Sequence, residues 1–222
     1  MLWRICVGCC SQRGLSTIPP SSLLCVSCVD ELNELRCEAR VIQLGGPPLV
    51  DITGLYHYQG LVRRLILRAK IGGDLQALQL LLALVATHPA RGGLLAWADG
   101  LMPCASSLWG RVRGRIDIAG QICSQQGHSS RPITLAPLHL HWRWRKHALL
   151  QRRQRVHSNQ ELPHWLRSVS NALCAKALAN ANTTKLLLID DVVTSGDTMR
   201  RTAMAITAAP LPVIRGLVLA VS

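Results

Sequence analysis

Apolar residues along this chain change their spacing several times, and each change marks an expected element. Leu186-Leu187-Leu188-Ile189 is a short, bounded apolar run. Such a run suits a fully buried central strand, although spacing alone does not separate strand from helix. The small, hydroxyl-rich loop that follows tips the reading to strand, and a helix is predicted to begin near Asp197. Residues 41–60 mix β-branched and aromatic residues around Gly45, Gly46, Pro47 and Pro48, which predicts two short strands about a turn. From Gly60 to Lys70, Leu61 and Leu65 alternate with Arg64 and Arg68 at helical spacing. A second helix is expected from Asp74 to His88, where leucines dominate and Asp74 is a suitable N-cap. Asp99 to Cys104 reads as a second strand of the sheet, ending in Met102-Pro103.

These elements belong to a chain of 222 residues that is 49% hydrophobic. That is enough for one full α/β domain with a small extra module, and it excludes a disordered chain. Charge adds a preference for partners. Twenty-five Lys and Arg against 12 Asp and Glu leave +13, a balance that favours polyanions, whether nucleic acid or a phosphorylated ligand. It is also compatible with a surface made basic only for solubility. No apolar stretch reaches the roughly 18 residues a membrane span needs, and residues 1–40 lack a signal-peptide pattern. No membrane insertion and a cytoplasmic location are the expectations. In a reducing compartment the nine cysteines would serve as metal ligands or buried thiols and not as a disulfide framework.

The densest chemistry lies at residues 186–198, LLLIDDVVTSGDT. Thr194, Ser195, Gly196 and Thr198 offer hydroxyls and loop N–H groups just ahead of a helix N-terminus, a suitable cradle for a phosphate. Asp190 and Asp191 are expected at the strand's end, on the carboxyl edge where open α/β sheets bind ligands, and there they can accept hydrogen bonds from a ribose diol. The plainer alternative is a strand followed by a helix whose acids merely cap it. Asp197 would repel a phosphate unless it points outward, so it is expected to face solvent.

Two further stretches carry chemistry. Cys6-Val-Gly-Cys9 is followed after fifteen residues by Cys25-Val-Ser-Cys28. Two such pairs at this separation can close a tetrahedral thiolate shell around a structural zinc ion, each pair supplied from a tight turn. A redox role for either pair is the lesser alternative. Cys10 and Cys37 are spare, and Cys104, Cys123 and Cys174 read as core residues. Residues 141–157, HWRWRKHALLQRRQRVH, interleave Trp142 and Trp144 with Arg143, Arg145, Lys146, Arg152, Arg153 and Arg155, without an acid among them. Exposed tryptophan among arginines suits single-stranded nucleic acid. A basic flap over an anionic ligand is a comparable reading, and tryptophans in the core with a solvated arginine face is a third.

The stretch 186–198 resembles the phosphoribosyltransferase signature that binds 5-phosphoribosyl 1-pyrophosphate (PRPP). By that resemblance Asp190 and Asp191 take the ribose hydroxyls and are the catalytic pair. The PRPP site then comprises Asp190, Asp191, Val192, Val193, Thr194, Ser195, Gly196, Asp197 and Thr198. The loop after the comparable earlier strand would contact pyrophosphate, which points to Ala105, Ser106 and Ser107 with Arg111 and Arg113; a solvated basic turn is the alternative there. Thr194 stands where phosphoribosyltransferases that salvage 6-oxopurines carry an acid, so that class is disfavoured. The order of a four-cysteine module, a helix ending in Lys70, and LLLIDDVVTSGDT resembles the ComF/GntX family of bacterial phosphoribosyltransferase-like proteins. Tyr58-Gln59-Gly60 and the stretch from Arg153 to Asn159 fit it too. Where the family has an RGFNQ-like run, this chain has Arg113-Gly114-Arg115-Ile116-Asp117.

The resemblance implies a type I phosphoribosyltransferase-like parallel sheet flanked by helices over residues 41–222, preceded by a zinc ribbon over 1–40. It implies a part in DNA uptake during natural transformation, with PRPP or a phosphorylated ribonucleotide as ligand and single-stranded DNA and DNA-uptake proteins as partners. An active transferase, using Mg²⁺ to move ribose 5-phosphate onto an unidentified acceptor, is the alternative.

Overall fold

The structure is a computed structural model that describes residues 4–13, 23–43, 49–104, 116–126, 133–134, 183–206 and 213–222. Two very short strands, β1 (Arg4–Ile5) and β2 (Gln12–Arg13), pair antiparallel around the first cysteine pair, and α1 (Val26–Glu34) starts within the second. Next come β3 (Arg36–Gln43), β4 (Leu49–His57), α2 (Gly60–Lys70), α3 (Leu75–Thr87), α4 (Pro89–Trp97) and β5 (Gly100–Pro103). The remaining described elements are α5 (Ile118–Gln126), β6 (Ile133–Thr134), β7 (Lys185–Val193), α6 (Asp197–Ala205) and β8 (Val213–Val221).

Among the described residues six strands form one sheet in the order β3-β4-β8-β7-β5-β6. β3 runs antiparallel to β4 at one edge, and the other neighbours pair parallel. The protein is therefore a mixed α/β structure with a mostly parallel sheet flanked by helices. β7 lies inside this sheet, between β5 and β8, and alternation along it feeds two cores. Leu187 and Ile189 join a large core with residues of α2, α3 and α5. Leu186 and Leu188 join a smaller one with Met199 and Ala203 of α6. With both faces covered, each position of the run must be apolar.

Local signals set the boundaries. Asp74 caps α3 by accepting from the N–H groups of Gln76 and Ala77, each at 3.0 Å, an arrangement worth about 1 kcal/mol. Those bonds, the Ala77 N–H foremost, hold its carboxyl below the usual range. α3 buries Ala77, Leu78, Leu80, Leu81, Leu82, Leu84 and Val85, and a helix so apolar around its circumference belongs inside a core.

Among the elements beyond the sequence-based expectation are α4, α5 and β8. α4 carries Gly92 and Gly93, which weaken helical propensity, yet Pro89 starts it and His88 Nδ1 accepts from Ala90 N–H at 3.3 Å. α5 is anchored by Asp117, whose Oδ1 accepts from Gly120 N–H at 3.1 Å. β8 is a nine-residue apolar strand beside β7. Among the described residues no single helix is long and apolar enough to cross a membrane.

Candidate functional site

The topology reverses between β5 and β7. From β5 the chain moves outward to β6, whereas from β7 it moves the other way to β8. The connections leave to opposite sides at that point, and the carboxyl ends of strands at such a switch point are the usual ligand position in open α/β sheets.

Asp190 and Asp191 lie at this switch point, but within β7 and not at its end as the sequence suggested. β5 stops pairing at Pro103 opposite Ile189, while β8 stays paired with β7 to Val193. The acids therefore sit where β7 outruns β5, with their backbone still held on one side. The two carboxylates remain within hydrogen-bonding reach of each other. Asp191 lies on the α2 side, buried, where its Oδ2 accepts from Lys70 Nζ at 2.5 Å. Asp190 is half-buried, and its Oδ1 accepts from the Asp191 N–H at 2.9 Å. Burial pushes the Asp190 carboxyl up to about 7; hydrogen bonding and charge from Asp191 add to the rise, and the Asp191 N–H and Lys70 oppose it. An acid at that level offers a donor in one state and an acceptor in the other, and both suit a vicinal diol.

The loop after β7 turns sharply into α6. Gly196 is its N-cap, at φ 78° in the left-handed region that glycine enters most readily. Thr194 and Ser195 ahead of the helix and Thr198 in its first turn are exposed, and the first-turn N–H groups have no intrahelical acceptor. Asp197 is half-exposed and pairs with Arg200 at 2.8 Å; its other oxygen accepts from Ser195 Oγ at 3.0 Å. Arg200 thus balances the one acid at the start of α6. Val193 is buried in the smaller core and Val192 packs against the larger, so from these two only backbone groups are placed to meet a ligand.

Cys6, Cys9, Cys25 and Cys28 bring their sulfurs within 4.8 Å of one another. The Cys9 and Cys25 sulfurs are 3.8 Å apart, close to the edge of a tetrahedron with metal–sulfur bonds of about 2.3 Å. The first pair comes from the turn between β1 and β2. The second comes from a helix start, Cys25 as N-cap and Cys28 in the first turn of α1, where the dipole favours thiolates. Cys25 N–H also donates to Cys6 Sγ at 3.2 Å. Burial pushes the Cys25 and Cys28 thiols up, while hydrogen bonding from Ser11 lowers Cys9 to about 6. Two buried thiols that resist ionisation need a cation to become ligands, and the four together can hold a metal ion. Cys10 stays exposed, and Cys37, Cys104 and Cys123 are buried among apolar residues.

Ala105, Ser106, Ser107, Arg111 and Arg113 lie outside the described residues, as do Cys174 and the basic stretch with Trp142, Arg143, Trp144, Arg145, Lys146, Arg152, Arg153 and Arg155. Lys70 is the site residue that sequence reasoning passed over. Its only signal was its position as the last residue of an amphipathic helix, and nothing local tells that this helix ends over β7. No protein-family model matches the chain, and no curated protein matches it.

Proposed function

We propose that the end of β7 binds the ribose 5-phosphate portion of PRPP or of a phosphorylated ribonucleotide, in a type I phosphoribosyltransferase-like fold of the ComF/GntX kind. One observation carries the reading: a carboxylate pair and an α6 N-terminal loop lie side by side at the sheet's switch point. Asp190 and Asp191 take the ribose 2′- and 3′-hydroxyls. The segment from Thr194 to Thr198 takes the 5′-phosphate through hydroxyls and first-turn N–H groups. Lys70 neutralises one oxygen of Asp191 and leaves the other to accept. In turnover, Mg²⁺ would supply charge neutralisation of departing pyrophosphate, and the fixed ribose contacts would orient C1 for attack.

The four cysteines hold zinc, as sulfur-only tetrahedral donor sets favour. The wider role in this reading is DNA uptake in natural transformation. The +13 charge and the interleaved tryptophans and arginines of residues 141–157 would engage a single strand. Titration with PRPP and Mg²⁺ tests the pocket. Binding should be measurable for the native chain and lost in Asp190→Ala/Asp191→Ala, and unchanged binding in the double variant would refute the assignment. For the DNA role, single-strand affinity should fall steeply with added salt and on replacing Arg143, Arg145, Arg152 and Arg153; a flat salt response argues against it.

A further inference from the structure

α2 is held at both ends by the cysteine module, and its last residue reaches the acid pair. At its start, Gln59 makes no side-chain capping bond. Glu31 of α1 caps it instead, with Oε1 accepting from Leu61 N–H at 2.7 Å and Oε2 from Arg64 at 2.8 Å. A carboxylate at this end also complements the helix dipole. Near the other end, the Arg68 guanidinium donates to the carbonyl of Val7, inside the first cysteine pair, and to Asp74 Oδ2 at 3.0 Å through Nε. Both anchors are tied to ligand positions. Glu31 lies one turn after Cys28 on α1, and Val7 lies between Cys6 and Cys9. The packing between them leaves no slack: a Cβ on Gly8 would stand 2.7 Å from Cys28 Sγ and 3.0 Å from Leu61 Cδ1. Two residues beyond Arg68, Lys70 bonds Asp191.

We infer that a metal ion in the four-cysteine cluster sets the position of Lys70 on Asp191 through α2, so that metal occupancy governs ligand binding at the end of β7. Arg68 and Glu31 are positioning residues in this scheme. With the ion bound, the turn around Val7 and the first turns of α1 form one rigid unit, and α2 is clamped to it. Without the ion both anchors loosen together, α2 gains freedom to pivot, and Lys70 leaves Asp191. Loss of the cation neutralising Asp191 then weakens whatever the acid pair binds. The regulated ligand rests on the PRPP reading above, whereas the mechanical link from metal to Lys70 does not.

The link is tested on the full-length chain by acylating lysines with a limiting amine-reactive reagent and comparing Lys70 with the exposed Lys185 by mass spectrometry. Zinc-loaded native protein should show slow labelling of Lys70 relative to Lys185. Chelation of zinc should raise that ratio by about threefold, the scale expected for release of a partly exposed ion pair. Arg68→Met, with one zinc per chain verified, should raise it similarly even if the chelated protein unfolds. Asp74→Asn, which leaves the Arg68 bond to Val7, should not. An unchanged ratio in Arg68→Met overturns the inference, as does an equal rise in Asp74→Asn, which would assign the effect to the α2–α3 contact. If zinc-loaded native protein fails to bind PRPP, the ligand assignment falls and the labelling ratios still decide the link.

Discussion

The cysteine cluster and the end of β7 are both crowded with ionisable groups, and they differ in what balances those groups. Around the cysteines, burial opposes the charge a donor needs, and no basic side chain answers it among the described contacts of the four sulfurs. Such a cluster could hold a metal ion, and a bound cation would tie a small module together. The acids of β7 already have Lys70 on one carboxylate and a neighbouring N–H on the other. They are costly to keep half-buried, yet they border an exposed loop and not a closed shell. A polar group retained at a cost beside open surface is a binding group more often than a structural one.

Substitutions separate the two regions, beginning with the largest effect. Cys28→Ser should abolish metal binding and with it folding free energy on the order of 10 kcal/mol for a zinc-type site. Metal analysis and thermal unfolding check this; a folded variant that retains its metal would break the contrast. Asp191→Ala should act in the opposite sense, with little unfolding and large loss of ligand. Because Lys70 is about one-third exposed, the stability loss should be about 1 kcal/mol, while PRPP affinity falls roughly 30-fold or more with a charge-assisted bond.

Asp190 links the comparison to pH. Its folded carboxyl titrates near 7 against an ordinary 3.8, so between those values the folded chain binds more protons than the unfolded one. Stability therefore falls as pH rises through that window and levels off above it. Asp190→Asn should remove the slope and raise stability at pH 8 by roughly 4 kcal/mol at most, measured by denaturant unfolding across pH. A slope that survives the substitution would assign it elsewhere. The smallest effect is expected for Gly196→Ala, which forces a side chain into left-handed backbone at about 1 kcal/mol and should weaken phosphate binding by tilting the loop.

Much of this arrangement was legible in the chain. The helices α2 and α3 follow the expected ranges Gly60–Lys70 and Asp74–His88 closely, because leucine spacing and the Asp74 cap are local signals. The paired cysteine spacing likewise foretold the cluster. What escaped was set by tertiary contact. β7 extends past Ile189 through both acids because β8 pairs with it that far, and the apolar stretch of β8 gains its meaning only from that neighbour. α4 forms despite Gly92 and Gly93 because it is capped at His88 and packs on the larger core. Lys70 could not be joined to Asp191 from sequence, since they are 121 positions apart.

The central claim is that the end of β7 reads a ribose diol beside a phosphate. Competition of ribose 5-phosphate against 2-deoxyribose 5-phosphate, measured calorimetrically on zinc-loaded protein, isolates the hydroxyl that the acid pair would grip. The ribose form should be preferred about tenfold or more, and the preference should be abolished in Asp190→Asn/Asp191→Asn while phosphate binding persists. Equal affinity for the two sugars in the native protein would contradict it.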